Sequence, residues 1–75
     1  MNLLNYLKLQ RVKSGDLTQD QLAKLVSCSR QTISSIEKGR FKPSVELALK
    51  LANVLNCKVE DIFKLEDESN EWNDD

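Results

Sequence analysis

The chain has 75 residues, 40% of them apolar and 31% charged, which suits one small domain near the lower limit of independent folding. It has no histidine, and neither Cys28 nor Cys57 belongs to a CxxC pair, so a zinc site lacks a ligand set. The formal net charge of −1 hides a division: residues 1–64 hold all 11 Lys and Arg beside six acids, leaving +5, whereas residues 65–75 hold the other six acids and no cation.

Residues 2–13 (NLLNYLKLQRVK) read as a first helix, with Leu3, Leu7 and Arg11 on one face at spacing four. An arginine continuing an apolar stripe asks for a partner, because an unpaired buried guanidinium is costly. The alternative is a half-exposed Arg11 whose stem covers the core. Ser14-Gly15-Asp16 is a turn by composition. Thr18 is a good N-cap, and Gln21 three residues on completes a capping box. Leu22, Ala23, Leu25 and Val26 then give this second helix an apolar face. Ser27-Cys28-Ser29 interrupts it, and Ser29 caps a third helix over Arg30 to Glu37 or Lys38. Ile33 and Ile36 face inward, which leaves a short outer face of Arg30, Gln31, Ser34, Ser35 and Lys38 with almost no negative charge. Gly39 stops the helix where a left-handed residue is wanted.

Arg40-Phe41-Lys42-Pro43 is a loop with two cations around an aromatic residue. Pro43 blocks continuation, and Ser44 caps a fourth helix over Val45–Asn56 with Leu47, Leu51, Ala52 and Leu55 as its core stripe. Val45, Leu49 and Val54 are left over. Val59–Phe63 forms a last short helix, weakly specified because Lys58 stands where a capping Ser or Asp is expected. From Glu66 the sequence EDESNEWNDD has no apolar period and reads as a solvated tail with an isolated Trp72. The division expected is a body over 1–65 and an acidic tail over 66–75.

Catalysis has little to work with. No histidine activates either cysteine, no glycine-rich loop cradles phosphate, and no carboxylate cluster lies within the body. No cofactor and no metal are expected, and the cysteines read as small packing residues of a reducing compartment rather than as a disulfide. No run is long enough for a membrane span and no signal-peptide pattern opens the chain, so a cytoplasmic protein is expected.

The segments Leu17-Thr18-Gln19, Leu22-Ala23, Ser29 to Ser34, Ile36-Glu37-Lys38-Gly39 and Pro43-Ser44 together resemble the helix-turn-helix of the Cro/phage-repressor-like (Xre) family of transcriptional regulators. With Leu47 to Ala52 and Val59 to Phe63, the resemblance extends over roughly residues 5–65. It implies an all-α fold, a five-helix lambda-repressor-like domain whose helix-turn-helix spans about 18–38. A short terminal β-ribbon, Met1–Leu4 against the segment after Phe63, occurs in some small relatives and is the alternative for the amino terminus. It also implies an ion pair of Arg11 with Glu37, which requires a one-residue insertion at Ser14-Gly15-Asp16. Ser27 departs from the family, which often has glycine there.

For function the resemblance implies double-stranded DNA as partner. Helix 30–37 would enter the major groove, with Arg30, Gln31, Ser34 and Ser35 at base edges, where arginine suits guanine and glutamine suits adenine. Gln19, Ser29, Thr32, Lys38, Arg40 and Lys42 would hold phosphates, inward packing of its methyl being the equal alternative for Thr32. Val45, Leu49, Val54, Ile62, Phe63 and Leu65 are candidates for a homodimer interface, filling of the monomer core being the alternative. The function expected is a sequence-specific dimeric repressor at a palindromic operator. The alternative is a protein-binding module such as an antitoxin, whose apolar surface or acidic tail takes a partner protein. The charge division also suggests the tail folding back on the basic face.

Overall fold

The computed structural model of the chain describes residues 2–66. Trp72 and most of the acidic tail lie outside the described residues. Five short helices follow one another, α1 (Leu7–Lys13), α2 (Gln19–Leu25), α3 (Arg30–Glu37), α4 (Val45–Val54) and α5 (Val59–Ile62). Two three-residue strands, β1 (Leu3–Asn5) and β2 (Phe63–Leu65), precede and follow them. The strands pair antiparallel with Leu3 opposite Leu65, Leu4 opposite Lys64 and Asn5 opposite Phe63.

The ribbon is the alternative that the resemblance offered for the amino terminus, and it replaces the helix read from residue 2. Leu3–Asn5 satisfies its backbone groups on β2, and the Tyr6 N–H donates to the Ile62 carbonyl at 2.6 Å, so α1 starts only at Leu7. The Leu-rich start has good helix propensity, but a ladder with a strand some sixty residues away overrides it. The same pairing ends α5 one residue early, since Phe63 is already extended.

Side-chain caps fix the starts of the three middle helices. Thr18 accepts from the Gln21 N–H at 3.0 Å while Gln21 Oε1 accepts from the Thr18 N–H at 2.8 Å. Ser29 Oγ accepts from the Thr32 N–H and Ser44 Oγ from the Leu47 N–H, both at 3.1 Å. At α5 no lysine oxygen exists to cap, and Asp61 instead accepts from the Lys58 N–H at 2.9 Å. Each such cap contributes about 1 kcal/mol.

One core joins all five helices: Leu7, Leu22, Ala23, Val26, Ile33, Ile36, Leu51, Ala52, Leu55 and Ile62. Leu47, Cys28 and Cys57 pack against it half-buried, and both cysteines are free thiols. Leu25, expected on the buried face, is 56% exposed. It is the last residue of α2, where the helix gives way to the turn and the apolar stripe is already complete with Leu22 and Val26. Ile62, a dimer-interface candidate on sequence, is fully buried within the monomer and is unavailable to a partner.

The turn between α2 and α3 carries a backbone cost. Ser27 has φ +60°, a left-handed conformation that costs a residue with a Cβ about 1–2 kcal/mol and glycine nothing. Ser27→Gly should therefore stabilise the domain by about 0.5 kcal/mol after the entropy of the unfolded glycine is counted, a rise of roughly 2–4 °C in Tm. Asn56, also left-handed at φ +55°, should gain little from glycine, because asparagine tolerates that region. Thermal unfolding followed by circular dichroism checks both; a lower Tm for Ser27→Gly would contradict the assignment of strain.

Candidate nucleic-acid interface

The candidate surface is built on α3. Ile33 and Ile36 anchor it to the core, the Ser29 cap sets its start, and Gly39 ends it at φ +75° with its N–H donating to the Ile36 carbonyl. The chain then turns back, and the Arg40 N–H donates to the Ser35 carbonyl at 2.9 Å. This return brings Arg40 and Phe41 beside Ser29, Gln31, Thr32 and Ser35, and the six line one shallow concavity.

An ion pair holds the helix from behind. Arg11 Nε lies 2.7 Å from Glu37 Oε2, and Arg11 Nη2 donates to Glu37 Oε1 at 3.2 Å, a two-pronged contact. The remaining Arg11 nitrogen donates to the Leu17 carbonyl at 2.6 Å, which ties down the segment entering α2. The two side chains are only 11% and 7% exposed. Glu37 is the one acid of α3, and it is turned inward, leaving the outer face without negative charge.

Gln19 joins this pair to the outer face. Its Nε2 donates to Glu37 Oε1 at 2.9 Å, and its Oε1 accepts from Arg30 Nη1 at 3.1 Å. Arg11, Glu37, Gln19 and Arg30 thus form a continuous chain of hydrogen bonds from the buried side of α1 to the exposed start of α3. Sequence pattern had no signal for the Gln19–Arg30 link, which joins residues on two helices eleven positions apart.

The other expected contact residues are placed as follows. Arg30 and Gln31 are exposed in the first turn of α3, and Ser34 and Ser35 are half-buried one turn on. Ser29 Oγ is shared between its cap and Thr32 Oγ1 at 2.9 Å, so half-buried Thr32 serves the turn. Lys38, Arg40 and Lys42 are exposed, and none has an ion-pair partner among the described residues. Arg40 stands with the α3 face, whereas Lys42 lines a second concavity with the ribbon residues Asn2, Leu3 and Asn5. Phe41 lines both, a role the sequence marked only as an aromatic between two cations.

Of the apolar interface candidates, Val45, Leu49 and Leu65 are exposed at 77%, 57% and 63%. Val54 and Phe63 are half-buried against the core. Burial pushes both thiols up, opposed at Cys28 by Lys50 and reinforced at Cys57 by Asp61, so neither is a thiolate nucleophile near neutral pH. Among the described residues no group of three metal-ligating side chains occurs, and no helix is long and apolar enough to cross a membrane.

Helices α2 and α3, packed through a tight turn with the second exposing its polar first turn, define a helix-turn-helix. Comparison with known proteins agrees. The model of the family described as Helix-turn-helix matches residues 7–62. An uncharacterised HTH-type transcriptional regulator of Methanocaldococcus jannaschii is 50% identical over 64 residues, covering 85% of this chain and 96% of that protein. The Bacillus subtilis HTH-type regulator YgzD, also uncharacterised, is 42% identical over 65 residues, or 87% and 97% of the two chains. Among solved structures, a candidate DNA-binding protein from Bacteroides fragilis superposes with a TM-score of 0.74 at 26% identity over 83% of this chain and 98% of that one. The restriction-modification controller protein C.AhdI of Aeromonas hydrophila gives 0.67 at 31% identity over 73% and 78%. The chain belongs to the helix-turn-helix family of Xre/Cro-like transcriptional regulators, a DNA-binding and non-enzymatic family.

Because Glu37 and Arg11 are nearly buried, removing either leaves an unpaired charge. Arg11→Ala or Glu37→Ala should each cost about 3–5 kcal/mol of stability, a large part of what a domain this small has. Arg11→Lys should recover little, since a single ammonium cannot reproduce the forked contact. Urea unfolding measures these; a loss under about 1 kcal/mol for Glu37→Ala would mean that the pair is not structurally important.

Proposed function

We propose that the protein is a sequence-specific, dimeric repressor that inserts α3 into the major groove of operator DNA. The observation that carries this reading is the exposed, acid-free first turn of α3 with Arg30 held in place through Gln19. Arg30 and Gln31 read base edges, arginine forking to guanine and glutamine to adenine, with Ser34 and Ser35 completing the contact. Ser29 and Thr32, whose hydroxyls meet at the start of α3, offer phosphate the one hydroxyl hydrogen that their mutual contact leaves over, and Gln19 offers its remaining amide hydrogen. Arg40 reaches the backbone beside the α3 face, and Lys38 and Lys42 add phosphate contacts at its flank.

One α3 reads only a few base pairs. A symmetric dimer reading two half-sites about 34 Å apart supplies the rest, and Val45, Leu49 and Leu65 provide exposed apolar surface for it. The unit that binds is residues 1–65, and the acidic segment 66–75 is an appendage to it.

Fluorescence anisotropy on DNA from upstream of its own gene, with scrambled DNA as control, tests the reading. A preference of roughly a thousandfold is expected. Arg30→Ala and Gln31→Ala should each remove about 1–3 kcal/mol of discrimination, whereas Lys42→Ala should weaken all sequences alike and lower the salt slope by about one. Sedimentation should show a dimer that Leu49→Asp dissociates. Binding to scrambled DNA as strong as to the upstream DNA, unchanged by Arg30→Ala, would contradict the proposal.

A further inference from the structure

The ribbon and the loop after α3 enclose a concavity whose open surface is more polar than apolar. Asn2, Asn5, Gly39 and Lys42 make its polar wall, and none of its lining residues is an acid. Phe41 lines it and also the concavity on the α3 face, so the two adjoin.

The donors in this wall differ in what already occupies them. Asn2 Nδ2 donates to Glu66 Oε1 at 3.1 Å, so that amide is engaged. Asn5 is not. Its Oδ1 accepts from the Leu7 N–H at 3.4 Å, which turns the carboxamide oxygen to the start of α1 and leaves Nδ2 without an acceptor among the described residues. Lys42 is exposed and has no ion-pair partner among the described residues. A cation and a free amide donor in one acid-free concavity suit an anion. Leu3 and Phe41, both partly exposed, give the same concavity an apolar edge, which suits the sugars between successive phosphates of a DNA strand. One exposed lysine and one amide hold a free ion poorly. A phosphate delivered by a duplex already seated on the adjoining α3 face arrives at high effective concentration, and there a weak contact counts.

We infer that the ribbon makes a second contact with the DNA backbone, in which Asn5 Nδ2 and Lys42 Nζ together hold one phosphate of the strand flanking the α3 site. The inference rests on the proposed seating of α3 in the major groove. It brings Asn5 into the interface and gives the ribbon a part in binding besides closing the fold.

The affinity of full-length variants for the upstream duplex and for a scrambled one reads the contact. At about 0.15 M salt, charges more than about 8 Å apart are largely screened. Asn5→Ser keeps an oxygen for the Leu7 N–H and the net charge but removes the amide donor; it should weaken both duplexes roughly three- to fivefold. Asn5→Asp sets a carboxylate against the phosphate and should weaken both roughly tenfold or more. The same added charge in Asn53→Asp, on the exposed surface of α4, should cost less than about twofold. Both variants at Asn5 should melt within about 3 °C of the native chain, since the acceptor for Leu7 is kept. In the Lys42→Ala background the Asn5→Ser loss should fall below about twofold, because the two side chains share one phosphate. Methylphosphonate substitution changes the DNA instead of the protein. One neutralised linkage should weaken the native chain and leave the Asn5→Ser, Lys42→Ala double variant unaffected. Unchanged binding by Asn5→Ser, with Asn5→Asp no worse than Asn53→Asp, would overturn the inference, as would losses that simply multiply in the double variant. Equal affinity of the native chain for the two duplexes would contradict sequence-specific reading alone, since the ribbon contact is measured on scrambled DNA as well.

Discussion

The contact between Arg11 and Glu37 sets the terms for the rest of the structure. Two charges taken almost wholly out of water are tolerable only when their polar atoms find partners, and here each nitrogen and oxygen has one: Glu37 accepts from Arg11 and Gln19, and Arg11 also reaches the Leu17 carbonyl. The requirement fixes several elements at once. The end of α3 is held to α1, the entry to α2 is held to the same guanidinium, and the first residue of α2 is turned so that its amide oxygen meets Arg30. An apolar contact in the same place could hold helices together without imposing this orientation, because it has no directional demand.

The surface that faces DNA in the proposed mode therefore has two halves of different character. The first turn of α3 is tied to the interior through three side chains, which limits the rotamers Arg30 must lose on binding. The loop of Arg40, Phe41 and Lys42 has no such tie. It lies between the α3 face and the ribbon, with Phe41 shared by both concavities. In the proposed mode base reading falls to the held half and backbone charge to the other. That division suits their tasks, since phosphate contacts tolerate adjustment and forked base contacts do not.

Much of this was legible in the sequence because it is local. The caps at Thr18, Ser29 and Ser44, the stop at Gly39 and the inward Ile33 and Ile36 are each decided by residues within a turn or two. Ser27 was readable as a departure from glycine, and its left-handed backbone gives the physical reason. What failed was non-local. Leu3–Asn5 carries helix-forming residues, and only the far strand Phe63–Leu65 makes it extended. Ile62 counted as surplus apolar surface although α5 places it in the core, and Leu25 counted as core although α2 ends there. That Arg40 lines one concavity and Lys42 another, with Phe41 in both, depends on how the chain turns there, which composition does not encode. The Gln19–Arg30 link needed the relative placement of two helices.

The measurement that tests the account most directly replaces the ion pair by apolar side chains of similar size, Arg11→Met with Glu37→Leu. Such exchanges of buried pairs are commonly neutral or stabilising, so the double variant should fold with stability within about 2 kcal/mol of the native chain. If the pair positions Arg30 through Gln19, discrimination between operator and scrambled DNA should nevertheless fall by at least about 1 kcal/mol, and Arg30→Ala should cost less in that background than in the native one. A folded double variant that discriminates as well as the native protein, with the cost of Arg30→Ala unchanged, would contradict the account and leave Arg11–Glu37 a structural contact alone.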